Sequence, residues 1–235
     1  MEILKSNKFL DLTHTIASPL FDAAENPWGV LPLIEEFIKG LGPMLGTDYE
    51  ERFPGVWVHN TATIAPTASI TGPAIIGPGT EVRHCAFIRG NAVIGADCVI
   101  GNSVEVKNSI IFDECEVPHY NYVGDSVLGY KAHLGAGSIT SNIKNDKTNV
   151  EVSIPLGRID TKLRKFGAIV GDGAQIGCNS VLNPGTLIGR GASIYPLSNV
   201  RGMIADNVIY KTGGKTTARV KLKKELSKGA FEVRQ

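Results

Sequence analysis

A six-residue repeat runs through most of the sequence and restricts the folds open to it. From Ile64 the chain divides into hexads that open with Ile or Val, namely IAPTAS, ITGPAI, IGPGTE, VRHCAF, IRGNAV, IGADCV and IGNSVE. The hexads continue with one-residue slips to Ile139 and resume at Val170. A period of six does not match a helix, whereas a short strand plus a corner matches it. Three such units close a triangular coil of about 18 residues, so we expect an all-β parallel β-helix with the aliphatic openers inside.

Two segments lie outside the repeat. Residues 1–55 include PWGVLPLIEEFIKGLG, whose apolar residues recur at helical spacing, and we expect this region to cap the open end of the coil. Residues 140–168 interrupt the hexads, and the alternation of Val150, Val152 and Ile154 predicts an extended or hairpin segment that projects from the coil. The predicted organisation is therefore a helical N-terminal cap (1–55), a β-helix (56–205) with an inserted loop (140–168) and a basic C-terminal tail (206–235).

Composition excludes several classes of function. The chain has 24 Lys and Arg against 23 Asp and Glu, whereas dedicated nucleic-acid-binding proteins usually show a clear basic excess. No apolar run is long enough to cross a bilayer, and the N-terminus lacks the features of a signal peptide. The four cysteines are widely spaced with no CxxC, and His84, His119 and His133 are too far apart to reproduce the closely spaced pair of histidines that zinc-dependent β-helices carry. We therefore expect a cytoplasmic protein with no metal, no nucleic-acid partner and no membrane partner.

Chemistry-bearing residues concentrate between Arg89 and His133. Arg89 and Lys107 are one coil apart, so they stack on one corner of the coil. Their mutual repulsion would be relieved either by a bound phosphate or by solvation of the two side chains pointing apart into water. His119 is a candidate general base, because a histidine titrates near neutral pH. Glu105 is a candidate carboxylate that would hold the orientation of the His119 side chain without contacting the substrate. His133 is expected near the same corner of the coil.

Two motifs make residues 60–205 resemble a known family. They are H-x-x-Y-x-G-D, from His119 to Asp125, and GAGSITSN, which ends at Asn142. Together with the surrounding hexads they resemble the C-terminal acetyltransferase domain of the bifunctional enzymes that make UDP-N-acetylglucosamine. Residues 158–200 are similar to the corresponding domain of bacterial and archaeal sugar-1-phosphate nucleotidylyltransferases. The resemblance implies left-handed coils and a homotrimer whose site lies between neighbouring prisms.

The resemblance also implies ligands for the acceptor. By their place in the motifs, Arg89 and Lys107 look like the family's phosphate-binding cations, with Lys147 as a further phosphate ligand. Tyr122 would contact the sugar phosphate, and Asn142 would contact the sugar.

The reaction that the resemblance implies is direct acyl transfer without a covalent intermediate. His119 would accept the proton of the substrate amine as it attacks the thioester of acetyl-CoA. The backbone at Ala136 would lie against the acetyl group and help to hold the developing oxyanion. The expected function is acetyl-CoA-dependent N-acetylation of an amino-sugar phosphate such as glucosamine-1-phosphate.

Two departures from the family pattern leave other functions open. His133 stands where the better-known bifunctional enzyme has asparagine, and Ile143 stands where that enzyme has tyrosine. The alternatives are a non-catalytic module for sugar-nucleotide binding or assembly, and an acyltransferase with another acceptor. The glycine-rich signature of nucleotidylyltransferases is absent from this sequence, so we expect no nucleotidylyl transfer from it.

Overall fold

The chain folds into a left-handed parallel β-helix of about nine coils, as a computed structural model that describes residues 4–211 and 213–218 shows. Equivalent residues lie 18 positions apart in the early coils, as in the pairing of Ala74 with Ala92. They lie 17 apart in the middle coils, as in the pairing of Ile110 with Val127, and 18 apart again after the insertion, as in the pairing of Ala168 with Thr186. This shortening accounts for the one-residue slips in the repeat. The predicted all-β coil with a short helical N-terminal segment is confirmed.

Each coil contributes strands to three sheets, which we call faces A, B and C. Face A contains Tyr49–Phe53, Val56–His59, Ala74–Ile76, Ala92–Ile94, Ser109–Ile111, Val127–Leu128, Ala168–Val170, Thr186–Ile188 and Met203–Ile204. Face B contains Thr63–Ile64, Glu81–Val82, Val99–Asn102, Glu116–His119, His133–Leu134, Gln175–Ile176, Ser193–Ile194, Val208–Lys211 and Lys215–Ala218. Face C contains Ser69–Thr71, Phe87–Arg89, Glu105–Lys107, Tyr122–Gly124, Ile139–Thr140, Val181–Leu182 and Asn199–Val200.

The hexad openers form the interior of the prism. Ile88, Val106 and Val123 occupy successive coils of face C and are fully buried. The residues beside them on faces B and C alternate between buried and more exposed positions, as expected for strands that contact the core on one side only. Faces B and C therefore present polar outer surfaces along most of their length.

Face A differs because its strands from Ala74–Ile76 to Thr186–Ile188 are buried on both sides. Ile75, Val93 and Ile110 are register partners that alternate with the hexad openers, so they form a second aliphatic row pointing away from the prism. The N-terminal segment covers this row, with Phe21 edge-on to Phe112 at 5.7 Å and Trp28 at 5.8 Å from Phe166. Because exposure of this aliphatic row to water would be unfavourable, face A requires a further layer of residues packed against it.

The N-terminal segment thus covers face A along one side, and its strand Tyr49–Phe53 pairs antiparallel with Val56–His59, the next strand of that face, at the end of the sheet. It is helical in short pieces, as α-helices α1 (Ser18–Asp22) and α2 (Ile34–Leu41) and as 3₁₀ turns at Ser6–Lys8, Leu12–His14, Pro27–Leu33 and Gly42–Met44. The N–H groups of Asp113 and Asp172, on different coils, donate to the carbonyls of His14 and Phe9. No helix among residues 4–211 and 213–218 is long and apolar enough to span a bilayer.

The insertion forms the expected hairpin, from antiparallel strands Glu151–Ile154 and Gly157–Asp160. It does not project freely, because Val152 and Ile154 are buried, and its backbone passes so close to Gly185 that a β-carbon there would collide with it. The coil also extends past the predicted boundary at residue 205, since Val208–Lys211 pairs with face B and with Lys215–Ala218. The rest of the predicted basic tail, from Arg219 onward, lies outside the described residues.

Candidate functional site

The candidate site lies on face C around the strand Tyr122–Gly124. Left-handed corner conformations bound this strand, at Tyr120 with φ of 52° and at Asp125 with φ of 47°. A strand advances about 3.3 Å per residue, so three residues separate the two edges of the face by about 10 Å. His119 stands at one edge and Asp125 at the other, with Tyr122 between them. This width matches a single sugar ring with its substituents.

The His119 edge is fixed by a buried asparagine. The side-chain oxygen of Asn121 accepts the N–H of His119 at 3.0 Å, and its amide nitrogen donates to the carbonyls of Gly135 at 2.8 Å and Ser138 at 3.0 Å. The carbonyl of His119 in turn accepts the N–H of Gly137 at 3.0 Å. Asn121 therefore holds the backbone of His119 against the corner of the next coil.

His119 and Ala136 become neighbours through this contact. The imidazole of His119 is exposed, and within residues 4–211 and 213–218 neither the imidazole nor the N–H of Ala136 has a hydrogen-bond partner. A free proton acceptor and a free N–H donor thus lie on adjacent coils. That pair of groups is what acyl transfer requires of a protein.

The opposite edge is built around the carboxylate of Asp125, whose side chain is only 5% exposed. It accepts hydrogen bonds from the ammonium of Lys107 at 3.0 Å, from the side-chain amide of Asn108 at 2.9 Å and from that of Asn142. Asn142 also donates to the hydroxyl of Tyr122 at 3.0 Å. Lys107, Asp125, Asn142 and Tyr122 therefore form one connected polar network on three successive coils.

Tyr122 lies over Gly124 and is half-buried there. Burial raises the pKa of the Tyr122 phenol, and the negative charge of Asp125 adds to the effect. The hydrogen bond from Asn142 acts in the opposite direction but does not reverse it. Tyr122 is therefore a neutral O–H donor at physiological pH.

The two predicted phosphate cations stack as their spacing predicts, but each has an internal partner. Val106 pairs with Ile88, so Lys107 and Arg89 follow them on adjacent coils. Glu105 accepts from Arg89 at 2.6 Å, which raises the pKa of the guanidinium, while Lys107 bonds Asp125. Their proximity thus needs no bound anion. No contact between Glu105 and His119 occurs in the described part of the chain, so Glu105 does not orient the imidazole.

Three other predicted positions lie away from this network. Lys147 is in an exposed turn with φ of 57°, and the neighbouring Lys144, not Lys147, faces the coil. His133 is on face B, where its Nδ1 lies 2.8 Å from the carboxylate of Glu116. Ile143 is partly exposed and forms an isolated bridge with Lys165. The structure therefore brings together Lys107, Tyr122 and Asn142 on one edge and His119 with Ala136 on the other.

Two positioning residues escaped the sequence argument. Asp125 lies 18 residues after Lys107, so the coil length could have predicted that they meet. Asn121 gives no comparable signal, because its hydrogen bonds go to backbone groups. In the described ranges no group of three His, Cys, Asp or Glu side chains could hold a metal ion.

Comparisons with known proteins point to one group. Residues 70–154 match the family model of the GMPPB C-terminal domain. The bifunctional protein GlmU of Methanococcus vannielii is 34% identical over 177 residues, which are 72% of this chain and 41% of that protein. The chain is a relative of the GlmU-type proteins. It resembles their C-terminal acetyltransferase domain, as the sequence motifs indicated.

A second relative is the bifunctional sugar-1-phosphate nucleotidylyltransferase/acetyltransferase of Sulfurisphaera tokodaii, 37% identical over 60% of this chain and 40% of that protein. Among solved structures, a variant of the N-acyltransferase AntD from Bacillus cereus, in complex with dTDP and coenzyme A, is 20% identical over 72% of this chain and 82% of that chain, with a TM-score of 0.38. The chain spans about two fifths of the length of these GlmU-type relatives.

Proposed function

We propose that the chain transfers an acetyl group from acetyl-CoA to the amino group of an amino-sugar phosphate, with glucosamine-1-phosphate as the first acceptor. The observation that carries the proposal is that the imidazole of His119 and the N–H of Ala136, on adjacent coils, have no hydrogen-bond partners among the described residues and lie across face C from the polar network of Tyr122 and Asn142. The word acetyltransferase in the name of the Sulfurisphaera relative supports acetyl as the acyl group.

In this proposal His119 is the general base. The amine nitrogen attacks the carbonyl carbon of the thioester, and the imidazole accepts the proton that the nitrogen loses. The carbon–sulfur bond then breaks, and the CoA thiolate leaves and takes up a proton. The N–H of Ala136 donates to the oxygen that becomes negative during the attack. The protein forms no covalent bond to the acetyl group.

The acceptor would lie across face C. Its sugar hydroxyls would contact the Tyr122 hydroxyl and the Asn142 amide, about one strand width from His119. Arg89 and Lys107 would bind the phosphate, sharing their charge between it and the carboxylates of Glu105 and Asp125. Lys147 would be a further phosphate ligand, brought closer by movement of its exposed turn.

Assembly as a homotrimer would complete the site. Face A is covered by the chain's own N-terminal segment, whereas face C has no cover from the described residues and carries exposed Phe87 two coils from Tyr122, in register with it through Glu105. A neighbouring prism packed against face C would exclude water from the reacting groups. Light scattering tests this, with a trimer mass expected and a monomer mass contradicting a site shared between prisms.

The experiment for the reaction is mass spectrometry of the sugar product after incubation with acetyl-CoA and either glucosamine-1-phosphate or galactosamine-1-phosphate. We expect one acetyl group on the sugar nitrogen. Acetyl-CoA binding without product on either sugar would mean a different acceptor. Neither product nor acetyl-CoA binding would favour the non-catalytic binding module.

A further inference from the structure

A cleft at the edge of face C lies beyond Asn142 and lies outside the groups that the proposed function assigns to the acceptor and the acetyl group. It consists of two adjoining cavities of about 330 and 210 Å³, which share Lys144, Pro184 and Arg201. We call it the Lys144–Arg201 cleft. Its other walls come from the insertion and the coil and include Ser141, Ile143, Asp146, Glu151, Arg158 and Asn183.

The cleft is continuous with the candidate site. Ser141 and Ile143 line it, and they flank Asn142, whose side chain belongs to the Tyr122 network. The register pairs Leu182 with Val200, which places Arg201 beside Asn183 at the same corner that carries Lys107 several coils earlier. A ligand on face C could therefore extend into the cleft along this corner.

The charges of the cleft favour an anion. Arg201 is exposed and has no ion-pair partner in the described ranges, unlike Arg89 and Lys107. Lys144 is held toward the cleft by bonds to the Thr148 hydroxyl at 2.6 Å and to the Asn149 carbonyl at 3.3 Å. Asp146 lies 3.5 Å from its ammonium and neutralises only part of this charge.

The remaining charges of the lining do not cancel Arg201. Glu151 faces Arg158 at 3.7 Å, so those two groups offset each other. Three cations and two carboxylates thus line the cleft, with Arg201 the cation left over among the described residues. A guanidinium presented in this way suits a phosphate group, which it can bind through two parallel hydrogen bonds.

Arg201 lies far from Arg89 and Lys107, the pair of cations in the candidate site. Between Lys107 and Arg201 the corner passes Gly124, Ser141 and Asn183, which makes four coil steps of about 4.8 Å, or about 19 Å in all. One sugar monophosphate cannot contact both. A phosphate in the cleft must therefore belong to a larger substrate or to the second substrate.

We propose that the Lys144–Arg201 cleft is a second phosphate-binding subsite, distinct from Arg89 and Lys107. The inference rests on the proposed function, because it assigns the phosphate to one of that reaction's substrates. Two sources share this chemistry. One is the diphosphate of a nucleotide-linked amino sugar, and the other is the phosphorylated nucleotide part of the acyl-CoA.

The first test is binding, which does not depend on turnover. Inorganic pyrophosphate is titrated into wild type, Arg201→Gln and a control, Arg52→Gln, whose arginine lies on the first strand of face A. We expect Arg201→Gln to weaken binding about tenfold or more, since one charge-assisted contact to phosphate is lost, and Arg52→Gln to have no effect. Equal affinity in all three proteins would overturn the subsite even if the chain proves to be an acetyltransferase.

The second test identifies the source by steady-state kinetics. Glucosamine-1-phosphate is compared with UDP-glucosamine as acceptor, and acetyl-CoA with S-acetylpantetheine as donor. If the acceptor occupies the cleft, Arg201→Gln raises KM for UDP-glucosamine only. If the donor occupies it, the variant raises KM for acetyl-CoA and not for S-acetylpantetheine. An unchanged KM for all four substrates would contradict the proposal, whereas no turnover with pyrophosphate binding intact would contradict only the proposed function.

Discussion

The ring and hydroxyl of Tyr122 lie across the α-carbon of Gly124, in the space where a larger residue would place its β-carbon. The two residues are on one side of the same strand, so the tyrosine can reach the Asn142 amide only because position 124 lacks a side chain. The glycine of the H-x-x-Y-x-G-D motif is thus explained by packing. The glycine lets the phenol extend along the strand toward Asp125.

Gly124→Ala should therefore displace Tyr122 and break its hydrogen bond with Asn142. We expect a loss of about 1–3 kcal/mol in the free energy of unfolding, typical of overpacking, measured by urea denaturation. Gly46→Ala is the control, because no atom lies within 4 Å of the point where its β-carbon would stand and its φ is not left-handed. Equal stabilities of the two variants would show that Tyr122 moves aside at no cost.

Asp125→Asn should destabilise the chain, because it removes the buried partner of Lys107 and one acceptor for Asn108 and Asn142. The expected loss is about 2 kcal/mol, less than for a wholly buried pair because the Lys107 side chain is 23% exposed. The measurement is chemical denaturation at neutral pH. Asp160→Asn, which removes a surface partner of Lys162, should change stability much less. A loss no greater than in that control would contradict the central role of Asp125.

Asn121→Ala should loosen the contact between His119 and the next coil. Buried carbonyls of Gly135 and Ser138 and the N–H of His119 would each lose a partner, which we expect to cost about 2–3 kcal/mol of stability in all. Asn60→Ala removes an exposed asparagine bonded to Asp48 and is the matched control. If the Asn121 variant unfolds at the same denaturant concentration as the control, the asparagine does not position His119.

The raised pKa of Tyr122 predicts how stability changes in alkali. Burial favours the neutral phenol in the folded chain, so the folded state holds its proton at pH values where the unfolded state loses it. The stabilisation that the raised pKa of Tyr122 contributes is complete below about pH 10, the pKa of tyrosine in the unfolded chain, and it is lost as pH rises through the pKa of the folded state. Tyr122→Phe should therefore lose stability less steeply above about pH 10 than wild type does. Parallel pH profiles would contradict the assignment.

The repeat made the coil predictable because each hexad opener must be buried, and the spacing of 18 correctly placed Lys107 beside Arg89. It could not show the carboxylate partners of these cations, since the direction of an exposed side chain depends on competing contacts. Nor could it show that the N-terminal segment covers face A. The sign of a covering layer is the outer aliphatic row, which includes Ile75 and Val93. The residues of this row alternate with the hexad openers, so a repeat defined by the openers alone does not reveal them.

The motifs placed His119, Tyr122 and Asn142 near one face, and the structure adds the distances and partners that connect them. Lys147 shows what a motif cannot supply across an insertion, namely the position of the side chain relative to the coil. The excursion after Asn142 has its own turns, and these direct Lys144 and not Lys147 toward the coil. Assignment of ligands in such a segment needs coordinates, because no repeat fixes its register.

The most direct test of the account is the rate of thiol release from acetyl-CoA with an amino-sugar phosphate, in wild type, His119→Ala and the control His59→Ala. His59 lies on the second strand of face A, away from the candidate site. We predict that loss of the general base lowers kcat about a hundredfold or more, while His59→Ala turns over like wild type. Turnover by His119→Ala at the wild-type rate would contradict the assignment of His119 as the base and, with it, the central claim.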